Sequence, residues 1–384
     1  MSWWSSPRGR LGLCAAILAG AITSPAAAQI VADGAGFSLT VEGYANGTAG
    51  HPFDEASATR DRGRGYGEAA LRIYPRLQLG EDRTVGVRLV GQTSTDDPAS
   101  WGERSLVFTD RWGRIEAGWR QGFPDVLTGY APNAFQFVSI EFGPASGLSL
   151  DPAGGLAPHM LGRAFAAHYG ELATLGVSTT FFGDISPKAI YVSPRLNGWL
   201  LGASWAPRIE RPDAAGHRNN LIQIGIIKER YVGRSEWRFG GSYSYADGQR
   251  DGPIRVHALH SLSGGIEYSY DASLYIGASF TWNGDSGLRP MSGGHRASDA
   301  FGLATSLNYS TGPWQLGFFA QWAVAEGDTG LRGNDRLFAV QGGGAYRFSR
   351  KARLYASLGY YRLDDENQLL GGSPLFLLGA RVTL

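Results

Sequence analysis

Cysteine and lysine are scarce in this sequence, and long hydrophobic runs are missing from most of it. Its one cysteine, Cys14, lies near the N-terminus, and only three of its 35 basic residues are lysine. Beyond residue 28 no apolar run reaches the roughly 20 residues that a membrane-spanning helix requires. Any passage of the chain through a bilayer would therefore need a closed β-barrel, because open sheet edges cannot satisfy their backbone groups in lipid.

The N-terminus has the features of a secretion signal. Arg8 and Arg10 provide the positive segment, residues 11–22 are apolar but too short to span a bilayer, and an alanine-rich cleavage site precedes Gln29. We expect residues 1–28 to be a signal peptide. Because Cys14 would leave with it, the exported chain would contain no cysteine and need no disulfide in an oxidising compartment.

The remaining residues 29–384 are expected to form one barrel domain. Removal of Arg8 and Arg10 would leave 33 of the 35 basic residues against 34 acidic ones. This near balance argues against nucleic acid as a partner and against a polybasic membrane surface.

Alternation of apolar and polar residues dominates this region. In residues 69–79 the odd positions include Leu71 and Ile73, whereas the even positions include Arg72 and Arg76. This period of two is typical of strands with one apolar and one polar face. A basic residue facing lipid near the bilayer midplane costs about 2–4 kcal/mol. The apolar face must therefore meet lipid, and the arginines must line a wet interior.

Short and long connections alternate between the predicted strands. Tight links such as Asp271-Ala272 are followed by long stretches such as 283–298, as expected when one rim has short periplasmic turns and the other has long external loops. The predicted strands are 37–46, 66–79, 84–95, 103–110, 114–120, 187–195, 198–206, 220–231, 234–247, 255–270, 273–283, 299–310, 313–325, 335–348, 353–363 and 375–384. The sequence therefore predicts an all-β fold, a transmembrane antiparallel β-barrel of 16 strands around an aqueous channel.

One connection is much longer than the others. More than sixty residues separate Gln121 from Pro187, and structureless loops of that size are normally functional. Residues 163–182 could instead form an extra hairpin, which would give eighteen strands.

Three motifs are informative about family: GRIEAGWRQG at 113–122, EFG at 141–143 and YVSPRLNGW at 191–199. The first, followed by Asp125 and Ala131-Pro132, resembles the strand that leads into the third loop of Gram-negative trimeric porins, especially alphaproteobacterial ones. The second resembles part of the third-loop Pro-Glu-Phe-Gly-Gly. The third resembles a Tyr-x-Ser-Pro-x-x-x-Gly-Phe segment, with Trp199 in place of Phe. The chain departs from the family at its end, where Leu384 replaces the usual Phe.

This resemblance implies an outer-membrane, homotrimeric porin that lets small hydrophilic solutes and ions diffuse passively. It also implies that the long third loop folds into the barrel and presents carboxylates opposite wall arginines. Glu141 is the main candidate for the acidic side of this constriction, with Asp125 and Asp151 as weaker ones. We expect no cofactor, no metal and no catalytic residue.

Alternation alone directs several arginines of the early strands into the lumen. The candidates for the basic side of the constriction are Arg72, Arg76, Arg88, Arg114 and Arg120. Guanidinium stays charged at any relevant pH and therefore holds a fixed field. These arginines could instead pair with Glu68 or Glu116 on neighbouring strands, and this alternative stays open.

Other classes of function are less well supported by the sequence. Most of the seven histidines lie in predicted loops, His257 and His260 have opposite strand parity, and no nucleophile-elbow, zinc-protease or phosphate-loop motif occurs. We therefore predict that the protein is not an enzyme. A substrate-selective channel remains an alternative: the arginines suit a phosphate-like anion, whereas the inward tyrosines (Tyr74, Tyr275, Tyr355 and Tyr361) are too scattered for a sugar ladder.

Overall fold

The computed structural model describes most of the chain between Gln29 and Thr383. The described residues are 29–34, 36–52, 64–94, 100–120, 186–210, 217–248, 250–251, 254–255, 258–284, 299–326, 334–349, 352–365 and 368–383. Among these residues, no helix is long and apolar enough to cross a membrane.

Antiparallel strands account for nearly all of the described residues. They are β1 (Gln29–Gly34), β2 (Phe37–Pro52), β3 (Arg64–Gln78), β4 (Thr84–Ser94), β5 (Ser100–Asp110), β6 (Gly113–Arg120), β7 (Ser186–Val192), β8 (Trp199–Glu210), β9 (His217–Val232), β10 (Ser235–Asp247), β11 (Arg250–Asp251), β12 (Ile254–Arg255), β13 (Leu259–Tyr270), β14 (Leu274–Asn283), β15 (Ala300–Thr311), β16 (Trp314–Glu326), β17 (Asn334–Arg347), β18 (Ala352–Asp365) and β19 (Gln368–Thr383).

Sixteen of these strands form a closed barrel, which confirms the predicted fold class and strand number. β2 to β10 and β13 to β19 each pair with the next strand, and β19 pairs back onto β2. β11 and β12 form a separate two-stranded hairpin. The possible extra hairpin at 163–182 lies outside the described residues.

The first strand completes the seam of the barrel. β19 runs along β2 only as far as Thr383, opposite Tyr44. β1 then pairs with the rest of β2, with Gln29 opposite Glu42 and Gly34 opposite Phe37. The backbone of β2 is therefore paired on both sides along almost its full length, as hydrocarbon surroundings require.

Short turns gather at one end of the barrel, here called the turn end. The β13–β14 link places Asp271 and Ala272 at φ of 52° and 50°, and two successive positive φ values are typical of the type I′ turn that suits a tight hairpin. Gly233 in the β9–β10 link also has positive φ, at 62°. The turn end is the periplasmic end in transmembrane barrels of this kind.

The two faces of the wall differ as the alternation predicts. Along β15, Leu303, Leu307 and Tyr309 point outwards and are 39–46% exposed, whereas Ala304 and Ser306 point inwards and are buried. Exposed aromatic side chains follow the turn end, including Trp112, Trp199, Trp314 and Phe348. Such aromatic belts mark the membrane–water interface, so the apolar outer face has the pattern of a lipid-facing surface.

One predicted strand begins earlier in the structure. β19 starts at Gln368 rather than at residue 375, and only residues 366–367 separate it from β18. The Gly371-Gly372-Ser373-Pro374 stretch has turn-forming composition, but pairing with β18 overrides it. The ladder absorbs the stretch through an irregularity between Leu363 and Asp364.

Candidate functional site

The inner face of the wall encloses a cavity near the turn end. Its volume is about 880 Å³, and β2 to β8 contribute to its lining. Arg76, Arg88 and Arg114 line this cavity, next to Glu42 and Tyr74. Three of the five arginines that alternation directs into the lumen therefore share one water-accessible space.

Five charged side chains form a continuous ion-pair network on β4, β5 and β6. Arg88 Nε donates to Glu103 Oε2 at 2.7 Å, and Arg120 Nη1 donates to Glu103 Oε1 at 2.5 Å. Arg120 Nε donates to Glu116 Oε2 at 2.9 Å. Arg114 Nε lies 3.1 Å from Glu116 Oε1 as an ion pair. The charges alternate along this network, and its three guanidinium groups exceed its two carboxylates by one positive charge.

Burial divides the network into a dry centre and two wet ends. The side chains of Arg120, Glu103 and Glu116 are only 7%, 8% and 2% exposed, whereas those of Arg88 and Arg114 are 26% and 31% exposed. Arg120 therefore neutralises two buried carboxylates. Arg88 and Arg114 present the excess positive charge to the lumen.

Glycine allows the centre of the network to form. Gly118 lies between Glu116 and Arg120 on the same face of β6, with φ of +142°. A Cβ at this position would collide with the carbonyl oxygen of Arg104 on β5. Only glycine adopts this backbone conformation readily, and the close approach of β5 and β6 brings Arg120 within reach of Glu103.

The remaining two predicted arginines extend the basic surface along β3. Arg76 is exposed and lines the cavity, and its side chain has no ion pair within the described residues. Arg72 is half-buried, and its Nε has no hydrogen-bond partner in the part of the chain that the structure describes. The guanidinium of Arg88 lies 5.2 Å from the centroid of the Tyr74 ring, within cation–π range, so Arg88 contacts the inner face of β3.

A second charged cluster lies on β9, β10 and β13. Arg238 stands opposite Glu229 on one side and Glu267 on the other. It contacts Glu236 at 2.8 Å and both other carboxylates at 3.5 Å. Arg195, in the β7–β8 turn, contacts Glu229 at 2.7 Å. This cluster has one carboxylate more than guanidinium groups, the opposite balance to the β4–β6 network.

Sequence reasoning did not single out this acidic cluster. The available signal was parity: Ile224 and Ile226 face outwards, so Glu229 on the same strand must face inwards. Cross-strand partners cannot be read from parity, because they depend on register.

The acidic residues predicted for the third loop are Asp125, Glu141 and Asp151. All three lie outside the described residues, as do the other loop positions from 121 to 185. The side chain of Glu68 is also outside the described set, whereas Glu116 does pair with both Arg114 and Arg120.

No cluster of three or more His, Cys, Asp or Glu side chains in the described residues is arranged to bind a metal ion. Of the two histidines with opposite predicted parity, His260 lies 2.9 Å from the Tyr243 hydroxyl, and His257 lies outside the described residues.

Solved structures of bacterial outer-membrane proteins share this fold. OmpF of Salmonella typhi, in a complex with daunomycin, has a TM-score of 0.66 at 11% identity and covers 92% of this chain and 100% of its own. The anion-selective porin of Comamonas acidovorans has a TM-score of 0.59 at 12% identity, with 91% and 100% covered. OmpT of Vibrio cholerae, described as a trimer form, has a TM-score of 0.57 at 12% identity, with 91% and 100% covered.

Family comparison assigns the sequence more directly than these distant structures do. Compared with curated proteins by sequence, the chain has no significant match. The family model described as Gram-negative porin matches residues 14–366, which is most of the chain. Together with the closed barrel and its wet, charged inner face, this match identifies a channel rather than an enzyme. The chain belongs to the Gram-negative porin family and is a diffusion channel of the outer membrane.

Proposed function

We propose that the pore passes small hydrophilic solutes and ions through a constriction whose basic side is Arg72, Arg76, Arg88 and Arg114. The observation that carries this proposal is the excess positive charge of the β4–β6 network and its exposure at both ends. Arg76 adds a further exposed charge at the same cavity. Arg120 is assigned a different role, because it is buried between two carboxylates and holds the wall together.

The expected energies suit passage rather than capture. Two unit charges about 8 Å apart interact by about 0.5 kcal/mol in a water-like medium. Several such charges bias which ions enter but leave each ion weakly held, as a conducting pore requires. Because arginine cannot lose its proton under physiological conditions, this bias should hardly vary with pH.

The acidic side of the constriction is proposed from two sources. By resemblance to the family, a third loop folded into the barrel would place Glu141 opposite the basic wall, with Asp125 and Asp151 nearby. The wall itself offers Glu229, Glu236 and Glu267 around Arg238. Transverse separation of the two signs would orient dipolar solutes as they pass.

Two further proposals concern the N-terminus of the exported protein and its oligomeric state. We propose that the exported protein begins at Gln29 after removal of residues 1–28, so that β1 can complete the seam beside β2. We also propose a homotrimer, a state supported by the trimeric form of the Vibrio cholerae protein. N-terminal sequencing of the outer-membrane form, and its mass in detergent by light scattering, test these two points.

Single-channel recording tests the proposed pore. Refolded protein starting at Gln29 should give stepwise, ohmic conductance in planar lipid bilayers, with reversal potentials in a KCl gradient that report its ion preference. Protein that inserts as a folded barrel but gives no conductance steps would contradict the proposal.

A second candidate function is a channel selective for phosphate-like anions. It is favoured by the uneven charge of the inner wall and by the similarity in fold to the anion-selective porin of Comamonas acidovorans. A sugar-selective channel has less support, since the inward Tyr355 and Tyr361 are almost completely buried. Liposome swelling with neutral sugars of graded size, compared with phosphate uptake, separates the general pore from the selective one.

A further inference from the structure

Two basic side chains lie on the outer face of β9 near the turn end. Lys228 and Arg230 continue the row of outward positions that Ile224 and Ile226 occupy in the middle of the strand. Among the described strands, β9 alone presents basic side chains outwards within five residues of the turn end. The outward positions near this end of other strands are apolar or aromatic, as at Leu77, Tyr309, Trp314, Tyr346 and Leu354.

Aromatic side chains surround the two charges. Lys228 is opposite Trp199 on β8 and Phe239 on β10, and Arg230 is opposite Trp237 on β10. The rings of Trp237 and Phe239 stack with their centroids 6.2 Å apart. Because such rings gather where a bilayer meets water, both charges lie at the depth of the lipid headgroups. We call these five residues the β8–β10 outer patch.

Within the described residues, neither charge of this patch has an acidic partner. Lys228 Nζ lies 4.8 Å from the centroid of the Trp199 ring and donates to the carbonyl oxygen of Asn197 in the β7–β8 turn. Arg230 is exposed and has no ion pair in this part of the chain. The neighbouring carboxylate of Glu229 points into the lumen, where it is paired within the second charged cluster. The outer patch therefore presents two positive charges to lipid.

The spacing of the two charges suits one phosphate headgroup. Residues two apart on one face of a strand are separated by about 7 Å, so both side chains can reach a phosphate placed between them. Arg230 offers forked donors that match phosphate oxygens, whereas Lys228 supplies a compact charge. The contact with Asn197 directs the Lys228 amine towards the turn end, and therefore towards the headgroups rather than the acyl chains.

We propose that the β8–β10 outer patch binds the headgroup phosphate of an anionic phospholipid in the periplasmic leaflet of the outer membrane. The rings of Trp199, Trp237 and Phe239 contact the glycerol backbone and the upper acyl chains, where aromatic side chains are preferred. Charge complementarity selects the ligand, because a basic surface at headgroup depth attracts anionic lipid. The site goes beyond the proposed pore, since it faces lipid and does not depend on what the lumen conducts.

Native mass spectrometry of the refolded protein tests the site. The protein in detergent micelles is titrated with phosphatidylglycerol or with phosphatidylcholine of the same acyl chains, and the lipids bound to each protomer are counted. Wild-type protein should bind the first phosphatidylglycerol more tightly than phosphatidylcholine. Lys228→Gln and Arg230→Gln should each weaken phosphatidylglycerol binding by about fivefold, and the double variant by about 25-fold. Phosphatidylcholine binding should change little, because its headgroup has no net charge.

Arg83→Gln is the matched control. Arg83 lies at the same end of the barrel, in the β3–β4 turn, and pairs with Asp110 at 3.0 Å. Its replacement removes the same charge from another sector and should leave the phosphatidylglycerol affinity at the wild-type value. Arg230→Lys keeps the charge and should stay closer to the wild type than Arg230→Gln. Circular dichroism checks the folding of each variant, and the two single variants carry the test if the double variant does not fold.

The possible results separate a lipid site from its alternatives. Equal affinity of the wild type for the two lipids, or a preference that Lys228→Gln and Arg230→Gln leave unchanged, would overturn the site. A loss that Arg83→Gln shows equally would reduce the preference to net charge and would overturn it too. A wild-type oligomer that dissociates in the double variant would instead assign this face to contact with a second copy of the chain. None of these results depends on conductance, so failure of the site and failure of the proposed pore are distinct outcomes.

Discussion

Arg120 on β6 donates to Glu103 on β5 at 2.5 Å, and both side chains are less than a tenth exposed. The same guanidinium donates to Glu116 through its Nε. A buried charge without a partner is far more costly than a buried pair. We therefore expect the stability of this part of the wall to depend on Arg120, and the proposed ion selectivity to depend on its more exposed neighbours.

Replacement of Arg120 by Met should destabilise the folded barrel strongly. Removal of one partner from a buried ion pair typically costs about 3–5 kcal/mol, because Glu103 and Glu116 would keep only the exposed arginines as partners. Urea unfolding of protein refolded into lipid vesicles measures the loss.

The matched control for Arg120 is Arg234→Gln. Arg234 pairs with Asp271 at 3.5 Å, the two side chains are 71% and 54% exposed, and exposed pairs contribute about 0–1 kcal/mol. Equal losses of unfolding free energy in the two variants would show that burial does not decide the role of Arg120.

The strand positions could be predicted because a break in the apolar–polar alternation would place a polar side chain in the hydrocarbon of the bilayer and destabilise the barrel. Each of the sixteen predicted barrel strands has a counterpart, since a polar side chain on the lipid face costs enough to keep the pattern clean. β19 was the main exception. Its first residues have no such pattern, and only pairing with β18 makes them a strand.

Partners within the lumen were less predictable, for a physical reason. Parity gives the face of Arg88, Arg114 and Arg120 but not their height along the barrel. The sequence predicts Glu116 as a possible partner, and its ion pairs with Arg114 and Arg120 confirm it. Glu103 is not predicted from the sequence, because its contact with Arg88 is diagonal: Arg88 lies opposite Ser105, and Glu103 lies opposite Val90. Alternation does not encode this register.

Joint replacement of Arg72 and Arg76 by glutamine should shift ion selectivity towards cations. Each lost charge should change the ratio of anion to cation permeability by roughly sixfold, because the charge attracts the anion and repels the cation by about 0.5 kcal/mol each if the passing ion comes within about 8 Å in water. Reversal potentials in a KCl gradient measure this ratio. Unchanged potentials would remove both residues from the proposed constriction.

Arg104→Gln tests whether the position of the charge matters for this effect. Arg104 faces outwards and lies over the ring of Trp119, 4.8 Å from its centroid. Its loss changes the net charge of the protein as much as either single lumen replacement does. Reversal potentials should nevertheless stay at the wild-type value, because lipid and the wall separate this charge from the pore.

An arginine added to the outer face should lower the free energy of unfolding more than an arginine added to the lumen. Ile224 lies midway along β9 on the outer face and is 52% exposed. Ile224→Arg should lower the free energy of unfolding in lipid vesicles by about 2–4 kcal/mol, the range for a basic side chain near the bilayer midplane. Thr40→Arg, which adds the same side chain to the cavity lining, should cost clearly less. Equal costs would argue that the apolar face does not meet lipid.

Gly118→Ala should disturb the wall both through its backbone conformation and through the new Cβ. The φ of +142° at this position belongs to a region in which side chains other than glycine cost about 1–3 kcal/mol, and the new Cβ would also collide with the carbonyl oxygen of Arg104. β5 and β6 would have to move apart, which would pull Arg120 away from Glu103. We therefore expect lower unfolding free energy and, in channels that still form, larger current noise.

Gly317→Ala is the control, because a Cβ there has no heavy atom within 4 Å and β16 keeps its usual strand geometry. A Gly118→Ala barrel as stable and as quiet as Gly317→Ala would mean that the close approach of β5 and β6 does not depend on glycine.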